Sequence, residues 1–345
     1  MGEKKPFRIG ITPDFETVMR GIINPGVDEI FKPAPGIEWE YMPDTGGVAD
    51  PEVLNRYDAA VVLDYKFPAE SFRGVERLAI IARWGVGFDR IDVPACTEAS
   101  VILAVTPDSV ARPVAEGALG LMFALAKNFR THDINCRAGR WRDQAPIGSN
   151  LQGKVLGTVG LGNIGRELFR LARGIGFSRL LAYEPIAPNA EEAKAGVEFT
   201  DLDTVMRESD FVSIHCPLNE HTRGMIGARQ FALMKPTAYL INTARGPIVD
   251  ESALVAALGE HKIAGAAIDV YETEPVRPDN PLLKLENAIF SPHVIARTHE
   301  GIRDTSVSAC RSVVSVSRGV APPFIVNRQV LDRPAMREKL ARYLS

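Results

Sequence analysis

The chain has 345 residues, of which 46% are hydrophobic and 24% charged, and a formal net charge of −3. That length accommodates two domains of ordinary size, each with its own core, and the composition is that of a soluble globular protein. The mild acidity (pI near 6.1) argues against nucleic acid or an anionic membrane as a partner. In chain order, residues 1–6 carry no apolar signal core and run into a strand-like segment at residues 8–12. Residues 59–63, 78–83 and 101–105 are further apolar runs bounded by polar, Pro or Gly residues, a pattern that predicts a small parallel α/β domain. Between Pro113 and Lys127, Val114, Ala118, Leu121, Met122 and Leu125 predict a long buried helix joining two domains. Strands are then expected near 154–159, 180–183, 211–214, 238–242, 265–269 and 288–290, and from His299 a helical stretch should return to the first domain. The expected division is therefore a discontinuous domain of residues 1–110 and 299–345 and an inserted one of residues 111–298, with a cleft between them.

Within the inserted part, Gly160-Leu161-Gly162-Asn163-Ile164-Gly165 follows a short β-branched run and opens a segment with Leu168, Leu171 and Ala172 at helical spacing. This is the context in which a glycine turn cradles a dinucleotide pyrophosphate. Gly160 allows the tight turn, Gly162 lets the backbone approach a phosphate, and Gly165 lets the helix pack on the strand. The helix N-terminus offers unpaired N–H groups and partial positive charge to the same phosphates. Glu184 lies nineteen residues after Gly165, at the end of the next strand. There it can accept hydrogen bonds from the adenosine ribose and would repel a 2′-phosphate. Pro185, Ile186, Ala187 and Pro188 follow, so no adjacent arginine holds such a phosphate, and NAD is expected over NADP.

Three polar side chains sit at later strand ends, where doubly wound sheets place ligands: Arg245, Glu274 and His293. A histidine exchanges a proton near neutral pH, so His293 is the candidate general base, and the acid in the reverse direction. Glu274 would pair with it, favouring the imidazolium and fixing the ring. Arg245 presents the planar fork that suits a substrate carboxylate, and backbone N–H groups around Val86 and Gly87 could receive its other oxygen.

These segments are similar to the D-isomer-specific 2-hydroxyacid dehydrogenases. The resemblance rests on Gly85 to Asp92, Val114-Ala115-Glu116, the glycine turn, His215-Cys216-Pro217-Leu218, Asn242 to Gly246, Ser291-Pro292-His293 and the closing Val326-Asn327, all in the family's order. It implies an α/β fold of two doubly wound parallel-sheet domains, a Rossmann NAD-binding domain inserted into a flavodoxin-like substrate domain. It further implies an NAD-dependent oxidoreductase of small D-2-hydroxy or 2-oxo acids that works as a homodimer, pairing through the region 113–141; the cytoplasmic setting is expected from the isolated cysteines. By the same resemblance Asn163, Ile164, His215, Pro217, Thr222, Thr243, Ala244 and Asp269 line the cofactor, Asp269 on the nicotinamide side. The bland alternative for His215 is packing beside the cofactor. A non-catalytic NAD-sensing regulator on the same scaffold is the competing class, and the retained Arg245, Glu274 and His293 argue for an enzyme. The regulatory domain of long phosphoglycerate dehydrogenases is not expected here.

The isolated cysteines Cys96, Cys136, Cys216 and Cys310 read as reduced thiols rather than a disulfide or zinc framework, and no metal site is expected. Asp89 and Asp92 read as loop carboxylates, and Trp84 and Trp141 as core or interface residues. Two departures from the family stand out. Val105 precedes Thr106-Pro107 where an amide is common, and Arg297 follows His293 where small residues are usual. Arg297 can bind a second anionic group of the substrate or pair with Glu300 or a neighbouring subunit; Arg83, just before the substrate loop, is a similar candidate.

Overall fold

A computed structural model of the chain describes residues 5–186 and 190–344. Ala187 and Pro188 of the arginine-free segment, like the opening Met1 to Lys4, lie outside the described residues. The chain divides into two units, Met1–Val110 with Arg297–Ser345, and Ala111–Ala296. The return crossing thus falls two residues before the expected 298/299, which puts Arg297 in the first unit.

The first unit is built on β1 (Phe7–Ile11), β2 (Ile37–Tyr41), β3 (Ala59–Val62), β4 (Ile80–Arg83) and β5 (Ile102–Ala104). They form one parallel sheet in the order β2-β1-β3-β4-β5, the flavodoxin-like arrangement whose switch point lies between β1 and β3. Both faces are covered, as a parallel sheet requires. Ile9, Ile11, Val61 and Ala82 face the helix His299–Ser317 through Ala309, Cys310 and Val313, while Ala60, Val62, Ile81 and Leu103 pack with Tyr57 and Phe67. The C-terminal segment belongs to this unit. Val326 N–H donates to the Leu103 carbonyl, and buried Asn327 accepts from Leu103 N–H at 2.9 Å while donating to Thr97 Oγ1 and the Val101 carbonyl. The expected closing strand is an isolated antiparallel bridge, Ala104 to Ile325.

The second unit contains β6 (Val155–Val159), β7 (Arg179–Tyr183), β8 (Val197–Phe199), β9 (Phe211–Ile214), β10 (Tyr239–Asn242), β11 (Gly265–Ile268) and β12 (Ala288–Phe290). Their order is β12-β11-β10-β9-β6-β7-β8, all parallel, so the topology reverses between β6 and β9. This is the Rossmann order with one added edge strand. The helix Asn163–Ile175 returns across the sheet and buries Leu168, Phe169 and Ala172 against Leu156, Leu180 and Ile241.

The predicted helix at 113–127 begins earlier, as Pro107–Ala126, with Pro113 inside it. Pro107 takes the first-turn position that suits proline, and the Ser109 hydroxyl donates to the Thr106 carbonyl beside it. This helix is long and apolar enough to cross a membrane by composition alone, yet it carries Asp108, Arg112 and Glu116, and Ala115, Ala118 and Met122 are fully buried.

Candidate active site

The glycine turn sits at the carboxyl end of β6, at the switch point. Gly160 has φ +93°, and a Cβ there would come within 2.7 Å of the Cys216 backbone nitrogen, so only glycine lets the turn lie against the end of β9. Gly165 abuts the Gly160 carbonyl, 2.8 Å from where its Cβ would be, which sets the helix close on β6. Gly162 meets open space instead, and as the N-cap of the helix Asn163–Ile175 it supplies no side-chain cap, so the first-turn N–H groups receive no bond from it. Asn163 and Ile164 form that first turn. Glu184, at the end of β7, accepts from the Leu161 N–H at 2.9 Å and from the Ile186 N–H at 3.2 Å, which ties the carboxylate to the glycine turn.

Around the turn, His215 lies at the end of β9 with Nε2 2.8 Å from the buried Ser213 hydroxyl. Burial pushes its pKa down to about 4, so the ring is neutral at physiological pH and serves as a packed, hydrogen-bonded wall. Thr222 bonds to the Pro217 carbonyl at 2.7 Å and receives Asn219 N–H, closing the loop after β9. Thr243 is buried and its hydroxyl has no partner among the described residues. Such a hydroxyl is free to bond a ligand group. The cradle at Gly160 and Gly162, the uncapped helix N-terminus and the Thr243 hydroxyl therefore fit a dinucleotide. Bound NAD would supply the hydride acceptor or donor.

Beyond β10, buried Asn242 fixes the next turn by donating to the Arg245 carbonyl and accepting Ala244 N–H. Arg245 donates to the Ala244 carbonyl at 2.7 Å, and a Cβ on the adjacent Gly246 would fall 1.9 Å from the Tyr271 backbone carbon. This close approach sets Arg245 beside the turn that carries Glu274. Glu274 Oε2 lies 2.8 Å from His293 Nδ1, and Oε1 accepts the Tyr271 N–H at 3.0 Å. Burial would raise the Glu274 pKa. The hydrogen bond and charge of His293, the Tyr271 N–H and the Arg245 guanidinium outweigh burial and hold it below the ordinary carboxylate value. The three predicted polar residues thus converge within one unit.

Asp269, expected on the nicotinamide side, is also bonded within its own unit. It is fully buried, and its carboxylate accepts from the Ser291 hydroxyl, Val294 N–H (3.0 Å) and Ile295 N–H (3.2 Å). His293 N–H also donates to the Asp269 carbonyl at 2.7 Å. Within this structure, then, Asp269 holds the segment that bears His293. Sequence reasoning missed Ser291 and Tyr271. Tyr271 is buried, its pKa is pushed up to about 12 by burial and the nearby Asp269, Glu274 and Glu251 charges, and its hydroxyl donates to the Ser291 carbonyl.

In the first unit, Val86 and Gly87 follow β4, and Arg83 donates to the Trp84 carbonyl. Trp84 Nε1 donates to Ser306 Oγ. Asp92 caps the helix Val93–Glu98 through Ala95 N–H, a structural loop role. Arg297 is exposed and, among the described residues, has neither a hydrogen-bond nor an ion-pair partner, so the anticipated pair with Glu300 is not formed. Trp141 is 65% exposed, which corrects the core reading of that residue. The cysteines are free, and among the described residues no group of three or more His, Cys, Asp or Glu is placed to hold a metal.

A Rossmann sheet with a glycine turn at its switch point is the frame of a dinucleotide-dependent oxidoreductase. Residues 119–294 match the family model described as D-isomer specific 2-hydroxyacid dehydrogenase, NAD binding domain. A glyoxylate reductase of Korarchaeum cryptofilum is 40% identical over 267 residues, spanning 76% of this chain and 80% of the relative. A D-3-phosphoglycerate dehydrogenase of Archaeoglobus fulgidus is 37% identical over 273 residues, 79% of this chain and 52% of the relative. The crystal structure of a glyoxylate reductase from Paecilomyes thermophila superposes with a TM-score of 0.80 at 27% identity, covering 94% of this chain and 99% of that one. The chain belongs to the D-isomer-specific 2-hydroxyacid dehydrogenase family, and it is an NAD-dependent enzyme of that family.

Proposed function

We propose that the enzyme reduces a small 2-oxo acid to the D-2-hydroxy acid with NADH, glyoxylate being the first candidate, and that His293 is its acid and base. The observation that carries this reading is the 2.8 Å bond between Glu274 Oε2 and His293 Nδ1. It commits Nδ1 to the carboxylate and leaves Nε2 for the C2 oxygen of the substrate. In the reductive direction His293 as imidazolium gives its proton to that oxygen while hydride adds to C2; in the oxidative direction the neutral ring removes the hydroxyl proton. Glu274, kept ionised, holds the ring through Nδ1 and fixes the tautomer of its neutral form. Arg245 is assigned the substrate carboxylate and the polarisation of the C2 oxygen, and the N–H groups of Val86 and Gly87 in the first unit are assigned to substrate binding. Arg297 is assigned to a second anionic group when the substrate has one.

On the cofactor side, Gly160, Gly162, Asn163, Ile164 and Gly165 receive the pyrophosphate and Glu184 the ribose hydroxyls, so that NAD is preferred to NADP. His215, Pro217, Thr222, Thr243 and Ala244 line the remainder, and Asp269 adds to the nicotinamide side. The first unit serves the substrate, and the second carries the cofactor together with Arg245, Glu274 and His293. Support for a homodimer comes from the helix Phe129–Arg137, which buries none of its residues and leaves Phe129 57% exposed near the exposed Trp141. A cytoplasmic setting suits the free thiols.

The test is a panel of glyoxylate, hydroxypyruvate, 3-phosphohydroxypyruvate and pyruvate with NADH or NADPH, run on the native enzyme and on His293→Ala. Turnover that disappears in the variant supports the assignment. Retained turnover would remove His293 from the chemistry, and NADH binding without turnover on any substrate would favour the sensing alternative.

A further inference from the structure

His293 occupies an unusual backbone state. Its φ is +54°, in the left-handed region that non-glycine residues rarely adopt. The turn is organised around an anion: with His293 left-handed, the N–H groups of Val294 and Ile295 point together and both donate to the Asp269 carboxylate. Successive N–H groups converging in this way form an anion-binding nest. Here the anion is supplied from the end of β11 rather than by a ligand. Two further bonds close the arrangement. Ser291 N–H donates to the Ile268 carbonyl at 3.0 Å, and the Ser291 hydroxyl reaches the same Asp269 carboxylate. Tyr271 then ties Glu274 to the segment that bears His293, since its N–H holds Glu274 Oε1 and its hydroxyl holds the Ser291 carbonyl, each at 3.0 Å.

We infer that Ser291 is a positioning residue for the acid/base histidine: its hydroxyl on Asp269 and its carbonyl on Tyr271 fix the turn that aims the His293 ring at Glu274. This rests on the proposed acid/base role of His293. Ser291 itself need touch neither substrate nor cofactor. Its loss leaves the carboxylate of Asp269 with two backbone donors and lets the turn relax toward ordinary backbone angles. A displacement of the ring by about 1 Å is enough to cost up to about a hundredfold in rate.

The test compares Ser291→Ala, Ser291→Thr and Tyr271→Phe in the full-length enzyme, with His293→Ala alongside. Steady-state kinetics with glyoxylate, NADH binding by fluorescence and thermal melting are the readouts. Ser291→Ala is expected to lower kcat between about tenfold and a hundredfold, with KM and NADH affinity within about twofold. Threonine, which keeps the hydroxyl, should restore kcat to within about threefold, and Tyr271→Phe should give a smaller loss of the same kind. An unchanged kcat in a folded Ser291→Ala protein overturns the inference. If Ser291→Ala melts early, the Tyr271→Phe enzyme decides: normal kcat there also overturns it. Undiminished turnover in His293→Ala would instead strike the underlying assignment.

Discussion

Glu274 and His293 are nineteen residues apart in sequence and meet at 2.8 Å, oxygen to Nδ1, at the ends of neighbouring connections of one sheet. The carboxylate is charged because its surroundings favour charge despite partial burial: His293, the Tyr271 N–H and Arg245 all lower its pKa. Replacing it tests the pair directly. Glu274→Gln keeps the shape and removes the charge, so kcat is expected to fall by about a hundredfold, within the range for disturbed acid–base catalysis. The pH dependence has a defined sign. A carboxylate whose pKa is depressed on folding contributes stability that is complete above its unfolded value near 4.5 and is lost as pH falls through the lowered folded value. The acid limb of a melting-temperature profile should therefore be shallower in Glu274→Gln, and an identical limb would exclude this contribution.

His215 makes the opposite kind of statement about a base. Its pKa falls from 6.5 to about 4 because burial penalises the charged ring. Between those values the unfolded chain binds more protons than the native state, so stability rises with pH across that window and is lost on acidification. The full shift corresponds to at most about 3 kcal/mol. A His215→Asn enzyme, which cannot be protonated, should lose less stability between pH 6.5 and 4 than the native protein. Denaturant melts at several pH values measure this, and parallel curves would show that His215 charges freely in the fold.

The glycines of the turn should separate folding from cofactor binding. Alanine at Gly160 would meet the backbone of residues 215 and 216 and require φ +93°, so a loss of about 1–3 kcal/mol is expected. Gly162 has ordinary angles, φ −74° and ψ −160°, with open space around its missing Cβ. Alanine there should leave the melting temperature unchanged while weakening NADH, because the added methyl lies where the backbone approaches the pyrophosphate. Fluorescence titration and thermal melting of the two variants check the contrast; equal NADH affinity in Gly162→Ala would place the phosphates elsewhere.

The proposed preference for NAD assigns cofactor choice to Glu184. Its bond to Leu161 N–H holds the carboxylate beside the glycine turn, where it meets a ribose 2′-oxygen as an acceptor or a 2′-phosphate as a like charge. Glu184→Ser should raise the ratio of kcat/KM for NADPH to that for NADH by about tenfold or more. A ratio that does not move would assign the selectivity to other residues.

Much of this architecture is written in the chain because buried parallel strands are continuous apolar runs. Residues 211–214 and 288–290 could be read directly, as could the glycine turn and the three polar strand ends. The missed strands are those with weak burial. β2, Ile37-Glu38-Trp39-Glu40-Tyr41, lies at a sheet edge with none of its residues fully buried, and β8 has three residues with only Val197 buried. Neither carries the apolar signature that marks a central strand. The left-handed turn at His293 was also illegible, since its cause is the Asp269 carboxylate more than twenty residues away and not a glycine. The only local sign of Ser291's place is its position two residues before the histidine.

Arg297 is proposed to bear on which substrate is taken. It is exposed and has no partner among the described residues. An unpaired guanidinium is a fork for a carboxylate or phosphate, and one such contact is worth about 1.4 kcal/mol for each tenfold in kcat/KM. If it receives a second anionic group, Arg297→Ala should lower kcat/KM for 3-phosphohydroxypyruvate by about tenfold and leave glyoxylate within about twofold. The charge makes the contact salt-sensitive, so the native enzyme's preference for the dianionic substrate should shrink as ionic strength rises, and the variant's should not. Equal losses on both substrates would mean that Arg297 acts on the common carboxylate or on structure, and no loss on either would remove it from the substrate site.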